Sequence, residues 1–153
     1  MTLATTKRPL KKARAQAGDI VAIPLDEEEF GFGWLTAHGD CIFLDCKARR
    51  PFPRSADIVA QPLAFRVPVL SGIVRSGGWE IIGHIIPSGA VARPAAYRNQ
   101  AAGSAQLYLC RGSESTPASY DEVKDLEVMV WWSDGDVVRR LREHFAGRTQ
   151  GQR

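Results

Sequence analysis

Three short apolar segments follow one another near the start of the chain. They are Gly18-Asp19-Ile20-Val21-Ala22-Ile23-Pro24-Leu25, Phe30-Gly31-Phe32-Gly33-Trp34-Leu35 and Asp40-Cys41-Ile42-Phe43-Leu44-Asp45-Cys46. Runs of six to eight apolar residues bounded by turn residues read as strands, because a helix of that length has too little surface to bury. The intervening Asp26-Glu27-Glu28-Glu29 and His38-Gly39-Asp40 are turn chemistry, so the three strands form consecutive antiparallel hairpins. In the first strand Ile20 and Ala22 lie on one face with Pro24, and Val21, Ile23 and Leu25 on the other. Both faces are apolar, which places this strand centrally or between layers. In the second, Phe30, Phe32, Trp34 and Thr36 share one face and Gly31, Gly33 and Leu35 the other. Glycines along one face let a neighbouring ring or backbone approach closely, or let the strand coil.

Further along, Lys47 to Arg54 contains Pro51 and Pro53 and reads as a basic loop. Strand character returns over residues 63–74 and over Trp79 to Ile86, ending near Pro87. Residues 87–105 read as a loop, Gln106 to Cys110 as a strand, and Arg111 to Ser119 as a polar linker. Tyr120 to Val123 can open one helical turn, and Leu126 to Trp132 reads as a strand with Trp131 and Trp132 on opposite faces. Ser133 followed by Asp136 is a capping box, and Val137, Val138, Leu141 and Phe145 then recur at helical spacing. That helix is expected to dock one face on the sheet and to stop at Gly147, with Arg139, Arg140 and Arg142 in solvent. The expected fold is mainly β (α+β): a twisted antiparallel sheet or partly open SH3-like β-barrel with a C-terminal amphipathic helix. Its domain plan is a flexible basic arm over 1–17, one globular domain over 18–146 and a disordered tail over 147–153.

The formal net charge of +3 is unevenly spread. Lys7, Arg8, Lys11, Lys12 and Arg14 fall in the first 18 residues without an acid, which leaves 15 basic and 17 acidic residues in the remainder, a net of −2. The basic balance therefore belongs to the arm and is a poor argument that the body binds nucleic acid. The chain shows neither the apolar core of a signal peptide nor a run of about 18 apolar residues for a membrane span, so a cytoplasmic protein with free thiols at Cys41, Cys46 and Cys110 is expected.

Catalytic patterns are missing. His38, His84 and His144 are far apart, no short Cys or His pair has metal-ligand spacing, and no metal or cofactor is expected. There is no G-x-S-x-G elbow, and each cysteine sits in an apolar strand pattern where it behaves as a small hydrophobe. Gly31-Phe32-Gly33 lacks the third glycine and the following helix of a dinucleotide site. A binding surface is the remaining class of function. Asp26, Glu27, Glu28 and Glu29 present four like charges on one turn, suited to steering a basic partner, and Phe32, Trp34 and Trp79 are the candidate apolar anchors.

The three opening segments, together with Gly77-Gly78-Trp79-Glu80-Ile81-Ile82-Gly83-His84, resemble the Immunity protein 26 family, found beside bacterial polymorphic toxins. The resemblance implies a predominantly β protein without catalytic activity that binds and neutralises a cognate toxin domain. The family pattern defines no partner-contacting residues, so the choice of Asp26 to Glu29, Phe32, Trp34 and Trp79 rests on charge and aromaticity alone. The alternative is a small nucleic-acid-binding β-barrel that sets the basic arm, Arg49 and Arg50 on phosphates. No membrane partner is expected, and either a monomer or a dimer fits.

Overall fold

A computed structural model describes residues 14–151, with the backbone alone for 148–151. Residues 1–13 of the expected basic arm lie outside the described residues, and residues 14–17 are described. Five strands form one antiparallel sheet: β1 (Asp19–Pro24), β2 (Phe30–Leu35), β3 (Asp40–Ala48), β4 (Leu63–Pro68) and β5 (Glu80–His84), ordered β4-β3-β2-β1-β5. A second antiparallel sheet holds β6 (Ala96–Gln100), β7 (Leu107–Arg111) and β8 (Glu114–Ala118) in that order. Neither sheet closes into a barrel. The class is therefore the mainly-β arrangement with a C-terminal helix that the sequence predicts, in its open form.

The two apolar faces of β1 have their counterpart in two cores. On one face Val21, Ile23, Cys41, Phe43, Phe65 and Val67 pack beneath the long helix α4 (Asp134–Gly151), which contributes Val137, Leu141 and Phe145. On the other, Ile20, Ala22, Phe32, Trp34, Ile42 and Leu44 pack beneath the short helix α1 (Ser55–Val59) through Ile58, and beneath Phe52. The glycine face of β2 is the face that α4 approaches. A methyl group at Gly31 would stand 3.1 Å from Cδ1 of Leu141, so the missing side chain sets how closely the helix rides on the sheet.

Ser133 and Asp136 form the expected capping box: the Asp136 amide donates to Oγ of Ser133 at 3.2 Å, and the Ser133 amide donates to Oδ2 of Asp136 at 3.3 Å. The helix does not end at Gly147 but continues to Gly151. Interior glycine costs a helix only about 1 kcal/mol, and stopping requires the left-handed backbone that Gly147 does not adopt. Arg140 and Arg142 are also not simply solvated. Arg140 grips Glu127 with two bonds of 2.9 and 2.6 Å and lies over the Phe65 ring, and Arg142 donates from Nε to the Leu25 carbonyl at 2.8 Å.

Other segments differ from their sequence reading. Residues 87–105 contain a 3₁₀ turn (Gly89–Ala92) and β6, and the polar stretch after Cys110 returns as β8, a hairpin partner with little apolar content, followed by the expected helical turn α3 (Tyr120–Val123). Residues 127–132 make no ladder of their own. They bridge the sheets, exchanging hydrogen bonds with Arg98 of β6 at one end and, at the other, with Pro68 at the end of β4 and Leu70 just beyond it.

A buried polar cluster completes that junction. Oδ2 of Asp40, at the start of β3, accepts from Nε of Arg66 (β4) at 2.7 Å and from the hydroxyl of Tyr97 (β6) at 2.6 Å, and Oδ1 accepts from Oγ1 of Thr36. The Arg66 guanidinium goes on to the Val91 and Arg93 carbonyls at 3.3 and 3.0 Å. Burial alone would raise the Asp40 pKa, but the bonds from Arg66, Thr36 and Tyr97 outweigh it and hold the carboxyl below the ordinary 3.8. Burial and the bond to Asp40 push the Tyr97 phenol upward.

Asp40→Asn leaves the Arg66 charge buried without its counter-ion and is expected to cost about 3 kcal/mol in urea unfolding. Because the folded pKa is depressed, the unfolded chain binds the proton first. Wild-type stability supplied by Asp40 is therefore present above 3.8 and lost as pH falls toward the folded value. The variant should show a shallower acid limb between pH 5 and 3, and an unchanged limb would place that dependence elsewhere.

Candidate partner-binding site

The acidic turn joins β1 to β2 and is exposed, but its four residues are not equivalent. Asp26 builds the turn: Oδ1 accepts the amides of Glu28 at 2.8 Å and Glu29 at 2.7 Å, which hold its carboxyl below the usual range. Glu28 pairs with Arg49 at 2.9 Å and Glu29 with Lys47 at 3.4 Å. Among the described residues Glu27 alone of the four makes neither a side-chain hydrogen bond nor an ion pair. The net field of the turn is thus much weaker than four charges suggest, because β3 and its following loop supply the counter-charges.

The candidate anchors are interior. Phe32 is fully buried, packed edge-on against Phe52 with ring centroids 5.5 Å apart. Trp34 is 6 % exposed and donates from its indole nitrogen to the Ile85 carbonyl at 2.7 Å. Trp79 is 5 % exposed, set edge-on to Phe43 at 6.1 Å. Phe32 and Trp34 are roofed by α1 and the loop carrying Phe52, and Trp79 packs in the core under α4, so all three rings stabilise the fold. The turn and the aromatics are not brought together as one site.

Exposed apolar groups gather instead at the other end of the β1–β2 hairpin. There a groove of about 1100 Å³ runs between the segment 14–17, the β4–β5 connection with its short helix α2 (Ile73–Ser76), and Trp131. Leu70 is 46 % exposed, Ile81 39 % and Trp131 56 %. Opposite faces for Trp131 and Trp132 could be read from their adjacency, and Trp132 does pack on the core. Leu70 and Ile81 gave no sequence signal, because their exposure depends on where neighbouring strands end.

The groups that could do chemistry are occupied. Burial, then the neighbouring Asp45 charge, push the Cys46 thiol up to about 11, and burial raises Cys41 further, so neither is a thiolate near neutral pH. His84 pairs through Nδ1 with Asp19 at 2.8 Å and His144 through Nε2 with Asp45 at 2.8 Å. Among the described residues no three His, Cys, Asp or Glu converge on a metal position, and no helix is long and apolar enough to cross a membrane. Arg49 and Arg50, offered above as phosphate contacts, are paired with Glu28 and Glu80.

A family model described as Immunity protein 26 matches residues 16–106, well over half of the 153. The chain belongs to the Immunity protein 26 family. No curated protein and no solved structure matches it. The matched span of this immunity protein covers the whole five-stranded sheet and ends just before β7, so β7, β8 and α4 lie beyond it.

Truncating a core aromatic separates stability from recognition. Phe32→Ala and Trp34→Ala should each lower unfolding stability by about 3–5 kcal/mol. Glu27→Lys, on the exposed turn, should change it by less than about 0.5 kcal/mol. Equal urea midpoints for all three variants would contradict the burial described here.

Proposed function

We propose that this chain binds and neutralises a cognate bacterial toxin domain by covering the toxin's working surface. The observation that carries the reading is the family match across residues 16–106. The character of the surface supports it: exposed apolar side chains at Leu70, Ile81 and Trp131, with the thiols packed, His84 and His144 in ion pairs and His38 on the Ala92 carbonyl. Inhibition by occlusion needs a partner-shaped surface and no turnover, and it would operate in the cytoplasm, where a producing cell meets its own toxin. Residues 18–146 act as the binding body in this reading. The acidic turn contributes to encounter, chiefly through Glu27, and little to the final affinity.

Co-expression with the C-terminal toxin domain encoded by the neighbouring gene tests the proposal. Survival of the host and co-purification of a stable complex are the expected results. Joint replacement of Glu27, Glu28 and Glu29 by lysine should slow association about tenfold at low salt, with the difference shrinking as salt rises. An unchanged rate at low salt would remove the acidic turn from the mechanism. A host that dies, with no complex formed, would overturn the neutralising role itself.

A further inference from the structure

The groove between segment 14–17, α2 and Trp131 combines apolar walls with uncompensated positive charge. Leu70, Ile81 and Trp131 present exposed apolar surface at its edges, and Trp79 lies at its base. Two cations line it, Arg14 and Arg75, and both are exposed. Among the described residues neither makes a side-chain hydrogen bond or ion pair. The two acids that also line the groove are already neutralised: Glu80 holds Arg50 at 2.7 Å, and Asp40 is buried under Arg66 at 2.7 Å. The local balance is therefore about two positive charges in a concave, partly apolar setting, where low-dielectric walls strengthen the field.

That balance selects among occupants. The chain's own leading segment carries Lys7, Arg8, Lys11 and Lys12 and no acid, so it would add like charge to like. The acidic turn of a second copy is a poor match, because Glu28 and Glu29 are already paired and the turn holds no exposed Leu, Ile or Phe. A partner segment that mixes carboxylates with Leu, Ile or Phe meets both demands at once. Its apolar side chains would cover Trp131 and its neighbours, and its carboxylates would meet the two free guanidinium groups, which suit planar bidentate pairing.

We propose that this groove is the docking site for an acidic, apolar segment of the toxin domain, an inference that rests on the immunity reading and gives it a surface. It places the main contact at the end of the hairpin remote from the acidic turn, and it assigns the affinity-determining charge to arginine.

The toxin domain of the neighbouring gene, purified with the full chain, provides the test. Trp131→Ala and Arg75→Glu alter exposed side chains and should keep the wild-type unfolding midpoint. Each is expected to raise Kd about tenfold or more, because aromatic and arginine side chains that a partner covers carry much of an interface. Arg111→Glu, the same charge change at the exposed end of the central strand of the second sheet, should leave Kd unchanged. Photo-crosslinking from Ser71→p-benzoylphenylalanine, read by mass spectrometry, should mark an acid-rich apolar stretch of the toxin. Wild-type binding with unaltered Kd in the Trp131 and Arg75 variants would overturn the groove assignment while leaving immunity intact. A crosslink to residues 1–13 or to a second copy would overturn it in favour of those occupants. Failure of the wild-type chain to bind or protect would instead remove the immunity reading, and the groove assignment with it.

Discussion

The carboxylate of Asp40 is the point at which separate parts of this molecule must agree. Thr36 follows β2, Arg66 belongs to β4 and Tyr97 to β6, and each donates to the same buried group. An uncompensated carboxylate in that position would cost several kcal/mol, so none of the donors can drift without a penalty. The net stabilisation of such a cluster is modest, because desolvation consumes most of the attraction. Its demand on geometry is severe. Arg66 passes the constraint on to the carbonyls of Val91 and Arg93, and His38 meets the carbonyl of Ala92 at 3.0 Å. The second sheet, whose strands bury little apolar surface, is thereby positioned by polar contacts and by the 127–132 bridge.

The first sheet is governed by the hydrophobic effect. β1 is buried on both sides, and the chemistry of β2 divides its two faces: aromatics toward α1, glycines toward α4. The end of the sheet near Leu70 and Trp131 is one place where apolar surface stays open, alongside exposed side chains such as Leu63, Ile86 and Tyr120 elsewhere. Both faces of the sheet are covered by packed side chains, and the proposed groove accordingly lies at an end of the strands, where loops converge. A rigid sheet that displays its binding groups on connections is a common way to combine stability with variable recognition.

The opening strands, their order and their two-faced burial were legible because period-two patterning survives intact over residues 18–46. The capping box at Ser133 and the apolar stripe of α4 were legible for the same local reason. Three features were not. β6 and β8 have weak apolar alternation and owe their existence to β7 between them, a tertiary cause invisible in a short window. The partners of Asp40 lie 26 and 57 residues away, so a residue that read as turn chemistry turned out to be a structural hub. Which tryptophan stays exposed was not legible either: Trp34 and Trp79 have the stronger strand context and are the ones the core consumes, whereas Trp131 lies in a bridge that forms no ladder. The acidic run was found correctly as a turn, but Lys47 and Arg49, which offset it, could be placed opposite only by the β2–β3 register.

The contact between Leu141 and the glycine face of β2 has a consequence for how the protein is made. α4 follows all eight strands in sequence, yet it roofs one entire core through Val137, Leu141 and Phe145. A ribosome delivers the sheet first and its lid last. Until α4 emerges, Val21, Ile23 and Phe43 lack the helix that covers them. Apolar surface made before its cover is the kind through which partly folded chains misassociate.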